Sequence, residues 1–189
     1  IVEETDYPFD ETIRLKVSAP RAVEFPLYLR IPRWSGAARI EVNGQNVAVE
    51  AKPLSYVVLR RSWKQDDVVT LTLPMGLSVR RWAKNKDSAS VDYGPLTFSL
   101  KIGEDWRRSG GTDAWPEYEV YPTTPWNYGL VLDADSPASS FALTRSSGPL
   151  ADQPFTPKTA PIRMSVKAKR IPSWTLDANG LLNVLPGSP

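Results

Sequence analysis

Four pairs of carboxylates lie close enough in the sequence to raise acid–base chemistry: Glu3/Glu4, Asp10/Glu11, Asp66/Asp67 and Glu117/Glu119. Glycosidic hydrolysis needs two carboxyl groups opposed across the scissile bond. Asp66-Asp67 is expected in a hairpin turn, where Asp is favoured for local hydrogen bonding. Glu117 and Glu119, if extended, share one face of one strand rather than opposing each other across a cleft. Each pair therefore reads first as structure. The chain has no His and no Cys. That excludes a Ser-His-Asp or Cys-His relay, a thiolate nucleophile, a disulfide framework and a zinc site with Cys or His ligands. No Asp-rich loop has calcium spacing. No catalytic residue, metal or cofactor is expected.

A second set of residues points to binding rather than catalysis. Trp106, Trp115, Tyr118, Tyr121, Trp126 and Tyr128 crowd into one stretch, interleaved with Pro, Gly and Asn. Such rings stack on the apolar faces of sugars and carry a hydrogen-bonding handle. They serve equally well to cover the end of a sandwich or to pack against a neighbouring domain, and an excised domain exposes such surface. The sequence leaves both uses open, with the covering role the first expectation.

The elements that must position these rings read as short strands. The 189 residues suffice for one large domain or two small ones, and 41% hydrophobic residues support a real core. Eighteen scattered prolines suit many strands joined by turns and oppose long helices. The net charge of +2 gives no clustered basic field, so neither nucleic acid nor a membrane surface is expected as a partner. No apolar run reaches the roughly 20 residues of a membrane helix.

Ile13, Leu15 and Val17 alternate with Thr12, Arg14, Lys16 and Ser18. Residues 23–31 form a second strand, with Pro26 marking an edge or bulge. Ala38–Val42 and Val47–Glu50 flank Asn43-Gly44-Gln45-Asn46, a hairpin signal because Asn-Gly supplies positive φ. Tyr56–Leu59 and Val68–Leu73 flank the turn Lys64–Asp67, with Val69, Leu71 and Leu73 inward. Val79–Trp82 and Ser90–Leu100 add strands, broken at Gly94-Pro95. Residues 101–129 read as a structured loop or inserted short strands. Strands return at Gly129–Leu132, Phe141–Thr144 and Ile162–Lys169, with loops at Ser136–Ser140 and Ser146–Pro161. A turn is expected at Asp177–Gly180, before the Pro186–Pro189 end. No 3.6-residue periodicity is sustained. The expected fold is all-β, a β-sandwich in two consecutive units, 1–104 and 105–189, with no substantial helix.

Trp34 follows a strand-ending Pro32 and precedes Ser35-Gly36. It is expected to fold over the end of the core as a plug, which stabilises by roughly 1.5–3 kcal/mol for a large side chain.

Several motifs then occur in a fixed order: Arg30-Ile31-Pro32-Arg33-Trp34, Val42-Asn43-Gly44, Tyr56 with Leu59-Arg60, Trp63-Lys64-Gln65-Asp66-Asp67, Leu73-Pro74-Met75 and Tyr93-Gly94-Pro95-Leu96. This order resembles the region after the catalytic domain in glycoside hydrolase family 127, the β-L-arabinofuranosidase-like enzymes. Trp115–Val120 and Asn127–Leu130 look like a later segment of such proteins. Pro161–Lys169, Ile171–Trp174 and Pro186–Pro189 look like their C-terminal end.

The resemblance implies an accessory β-sandwich region whose catalytic (α/α) barrel precedes it in the same polypeptide. In that family the chemistry is linked to zinc-binding Cys and to acids of the barrel, so no catalytic residue transfers to this chain. Beginning at Ile1 rather than Met, the sequence is expected to be a processed product or a piece of a longer protein. The implied partners are that barrel and an oligosaccharide from a plant or host glycan. The implied setting is a bacterial periplasm or exterior. A carbohydrate-binding module acting through the loop aromatics, and a protein–protein interaction domain, are the alternatives.

Overall fold

A computed structural model of the chain describes residues 1–177, 180 and 182. Among them the chain is all-β. The early strands are β1 (Val2–Thr5), β2 (Thr12–Lys16), β3 (Val23–Ile31), β4 (Arg39–Val42), β5 (Gln45–Asn46), β6 (Ser55–Trp63) and β7 (Val68–Thr72). They continue as β8 (Leu77–Trp82), β9 (Ser88–Tyr93), β10 (Leu96–Phe98), β11 (Glu104–Gly111) and β12 (Pro116–Pro122). The last are β13 (Tyr128–Leu130), β14 (Phe141–Arg145), β15 (Ile162–Val166) and β16 (Ala168–Arg170). The helical segments among the described residues are short 3₁₀ turns at Ala83–Asn85 and Pro137–Ser140. No helix there is long and apolar enough to cross a membrane.

Two compact units divide the chain. The first holds Ile1–Ser78, Asp92–Thr97 and Ser147–Asp152. The second holds Val79–Val91, Phe98–Ser146 and the described residues from Gln153 onward.

The first unit is a sandwich of two antiparallel sheets. One has the order β1-β2-β7-β4-β5, the other is β3-β6. Period-two alternation decides which side chains meet. Leu15 lies opposite Val69, and Ile40 opposite Leu71. Leu29 lies opposite Val57 in the other sheet. Val69, Ile40, Leu71, Leu29 and Val57 join Val17, Ile31, Val42, Leu59, Trp63 and Leu73 in one buried cluster, with Leu15 packed against it. Trp63 is fully buried, donates its indole N–H to Phe25 O at 3.0 Å and stacks on the Phe25 ring at 5.7 Å. Trp34 is half-buried and packs against the same cluster, as a plug would.

Several local expectations need correction. Lys64–Asp67 is not a hairpin turn: β6 pairs with β3, while β7 pairs with β2 and β4. The turn carries the chain from one sheet to the other, because β6 and β7 face each other across the core instead of sharing an edge. The strand expected at Val47–Glu50 is absent, and the segment that pairs is Gln45–Asn46, inside the expected turn. Asn43-Gly44 makes a two-residue turn with φ of 54° and 75°. Beyond Val47 the Val49 N–H folds back on Val47 O at 2.9 Å and ends the ladder. Ser136–Ser140 contains the 3₁₀ turn, and Ile162–Lys169 is two strands broken at Lys167. Residues 101–129 contain the β11–β12 hairpin, of the two readings the inserted strands.

The second unit contains antiparallel two-stranded ribbons, β11-β12, β13-β16 and β14-β15. Outside these ribbons, and not confined to the second unit, a three-stranded sheet has the order β10-β9-β8. Gly180 N donates to Asp177 O at 3.0 Å, as the expected tail turn requires. Ala178 and Asn179 within that turn, and the Pro186–Pro189 end, lie outside the described residues.

Candidate functional site

The dense aromatic stretch resolves into two places in the second unit. The first is the β11–β12 arm. Trp106 lies opposite Val120, and Arg108 opposite Tyr118. Opposed residues share a face in an antiparallel pair. One face therefore carries Trp106, Tyr118 and Val120, all exposed, with the Trp106 and Tyr118 rings edge to face at 5.9 Å. The other face carries Asp105, Arg107, Glu119 and Tyr121. Arg107 Nε donates to Asp105 Oδ2 at 2.7 Å, and its guanidinium lies 4.4 Å from the centre of the Tyr121 ring. The Tyr121 hydroxyl donates to Glu119 Oε2 at 2.7 Å. That bond and the Glu119 charge push the phenol above its ordinary value, while the bond to Asp105 raises the guanidinium of Arg107.

The tip of the arm is set by local bonds. Thr112 N donates to Trp115 O at 3.1 Å and Trp115 N to Thr112 O at 3.2 Å, while Arg108 holds Asp113 at 2.9 Å. Trp115 is thereby displayed with 82% of its surface exposed. Every residue of β12 is exposed, so the arm buries neither face.

The second place is a cleft of about 460 Å³ at the base of the arm. Pro122–Asn127 form one wall, and Arg170, Pro172 and Trp174–Leu176 the other. Asn127 ties the walls together. Its Nδ2 donates to Ile171 O at 3.0 Å and to Trp174 O at 3.3 Å, and its Oδ1 accepts from Arg170 Nε at 3.3 Å. Its backbone oxygen accepts from Ile171 N at 2.8 Å. Trp126 is half-buried and lines the cleft. Tyr128, also half-buried, enters β13 opposite Arg170. The sequence reading missed Arg170 and Trp174 as companions of Trp126; their distance along the chain hides a register that only pairing creates.

The carboxylate pairs do not converge. Glu3 and Glu4 are consecutive in β1 and point to opposite faces. Asp10 Oδ1 accepts from Thr12 N, and Glu11 Oε1 from Met75 N, both at 2.8 Å. Asp66 pairs with Lys16 at 3.1 Å. Asp67 is buried and fully occupied, accepting from Asn43 Nδ2 at 2.9 Å and Lys64 N at 2.8 Å. The Asn43 bond first, and the Lys64 bond second, hold its carboxyl below the ordinary value. Among the described residues no cluster of three or more His, Cys, Asp or Glu could hold a metal ion.

These contacts also explain the sequence motifs. Val-Asn-Gly and Trp-Lys-Gln-Asp-Asp are two halves of one clasp: Asn43 Oδ1 also accepts from Val68 N at 2.8 Å. Gln65 Oε1 accepts from Ala19 N at 2.9 Å. Leu-Pro-Met and Tyr-Gly-Pro-Leu meet as well. A Cβ on Gly94 would lie 2.6 Å from Met75 Cγ, and its φ is +55°. Arg30, Tyr56 and Arg60 have no such use. They stand exposed with Tyr28 on the outer face of β3–β6.

Residues 1–75 match the model of the β-L-arabinofuranosidase GH127 middle domain. A likeness at low identity runs to solved structures. A GH127 β-L-arabinofuranosidase from Geobacillus stearothermophilus T6 is 24% identical, with a TM-score of 0.45 over 64% of this chain and 26% of that one. A glycoside hydrolase is 22% identical, with a TM-score of 0.48 over 89% of this chain and 27% of that one. A GH127 β-arabinofuranosidase is 20% identical, with a TM-score of 0.46 over 70% and 26%. The chain thus spans about a quarter of the length of those structures. No curated protein matches it.

Proposed function

We propose that this chain is the non-catalytic β-sandwich part of a glycoside hydrolase family 127-like enzyme. It braces an (α/α) barrel of the same polypeptide, and the barrel carries out the hydrolysis of arabinofuranosides from plant or host glycans. The match of residues 1–75 to the GH127 middle domain carries this reading. The positions of the acids support it. The carboxylates of Asp10, Glu11, Asp66 and Asp67 are engaged in turns, caps and the Asn43 clasp, and Glu117 and Glu119 share one face of β12. The barrel would dock on the outer face of β3–β6, where Tyr28, Arg30, Tyr56 and Arg60 combine aromatic area with guanidinium groups. Aromatic and Arg side chains are the types enriched at such contacts.

The first test is hydrolysis of p-nitrophenyl β-L-arabinofuranoside by the purified chain. No turnover above buffer is expected. Saturable turnover that co-elutes with the chain would overturn the non-catalytic assignment. The second test mixes the chain with the separately expressed barrel of its parent polypeptide and follows thermal unfolding. A rise in the barrel's Tm, lost with Tyr56→Glu, is expected; an unchanged Tm overturns the bracing role.

A further inference from the structure

We infer that the cleft lined by Trp126, Arg170 and Trp174 is a binding site for a sugar bearing a carboxylate, a hexuronate. Its volume of about 460 Å³ falls in the range of small-molecule sites. The walls are preorganised. Asn127 is more than nine-tenths buried, and all its side-chain polar atoms are committed to Ile171, Trp174 and Arg170. A single buried amide thus fixes both sides of the opening.

The charge of the lining is one-sided. Among the described residues that line it there is no Asp or Glu, and Arg170 is the one formal charge. Arg170 uses Nε on Asn127 and makes no ion pair among the described residues. A guanidinium has five N–H donors, and the pair of terminal nitrogens suits the planar fork of a carboxylate. One cation calls for one anionic group rather than a polyphosphate.

The remaining groups suit a polyhydroxylated ring. Trp174 lines the cleft, and its indole N–H is buried without an acceptor among the described residues. An unmade buried donor is relieved by a ligand oxygen or a bound water. Trp126 supplies an apolar ring for the C–H face of a sugar. Thr123, Thr124 and Thr175 place hydroxyls along the lining. Thr124 Oγ1 already accepts from Gly103 N at 2.9 Å and keeps its own O–H to donate. The site lies beyond the residues that match the middle-domain model, and it stands or falls separately from the bracing role.

The test is a titration of the whole chain, followed by calorimetry and tryptophan fluorescence. The probes are the methyl glycosides of galacturonate and glucuronate, the matching neutral galactoside and glucoside, and acetate and benzoate. Saturable uronate binding, at least tenfold tighter than the neutral sugars and weakened by salt, is expected. Arg170→Gln should lower uronate affinity at least tenfold. Arg170→Lys, which keeps the charge and the contact with the chain but not the fork, should fall between. Trp174→Phe should lower affinity while leaving Tm unchanged or raised, because it removes a buried donor and keeps the ring. That last variant separates ligand recognition from a role in folding. Equal affinity for acidic and neutral sugars, uronate binding unmoved by both Arg170 variants, or no saturation at millimolar uronate overturns the site. Acetate or benzoate binding as tightly as uronate overturns its assignment to a sugar.

Discussion

Two antiparallel ribbons in this chain share a construction and differ in fate. In β3–β6, one face is Leu27, Leu29, Ile31, Val57, Leu59 and Trp63, and it closes on a second sheet. In β11–β12, neither face closes on another sheet among the described residues, and Trp106, Trp115, Tyr118 and Val120 remain exposed. The same contrast holds between the units. Apart from Val91, Ile162 and Ile171, the buried apolar side chains among the described residues belong to the first unit. A two-stranded ribbon without a buried face is marginal on its own. The arm is held by its own ion pairs and ring contacts, which contribute little each. The core holds the first unit, and the second unit has surface to spare for recognition.

The largest effect should come from Trp63→Ala, which empties a fully buried indole site and abandons its bond to Phe25 O. It should destabilise the chain by about 3–5 kcal/mol, read by urea unfolding. Gly94→Ala comes next. It drives a methyl into Met75 at a backbone conformation unfavourable to Ala, and a loss of about 1–3 kcal/mol is expected. Adding Met75→Ala should return the part due to the clash and leave the part due to φ.

Asn43→Ala undoes the clasp between the β4–β5 turn and Asp67, with an expected loss of about 1–3 kcal/mol. The same clasp makes stability depend on acid. Asp67 has a folded-state pKa below the 3.8 of the free side chain. The folded chain therefore takes up this proton less readily than the unfolded one. Its contribution is complete above that value and fades as pH falls through the lower folded pKa. Asp67→Asn should flatten that part of the Tm-against-pH curve. At the small end, Trp115→Ala should change stability by no more than about 0.5 kcal/mol. In hydrogen exchange, β11–β12 amides should exchange before those of β3–β6. Slow exchange in the arm would erase the contrast between the ribbons.

How much was legible in the sequence follows from the same contrast. Ile13, Leu15, Val69 and Leu71 alternate because one face of their sheet is buried, so their orientation can be read directly. The Asn43-Gly44 turn is legible because few residues tolerate its φ values. The arm offers no such signal. With both faces in water, nothing forces its residues to alternate between apolar and polar, so the sequence left a structured loop and inserted strands both open. The Lys64–Asp67 turn was misread because a polar turn between two strands has the same composition whether they pair or cross to another sheet. Trp126 was visible as an aromatic, but not its neighbours Arg170 and Trp174.

By itself the sequence determined the all-β class, the strands of the first unit and the chemistry ruled out by the absence of His and Cys. These follow from local rules: side-chain period, proline and turn geometry, and the functional groups present. The tertiary structure alone decided which strands share a sheet, that Asn43 and Asp67 form one clasp, that the aromatics divide between an arm and a cleft, and that Arg170 stands beside Trp126. Those are contacts between residues distant in the chain. They are selected by the burial of a shared face and the pairing of buried polar groups, neither of which leaves a mark on any single stretch of sequence.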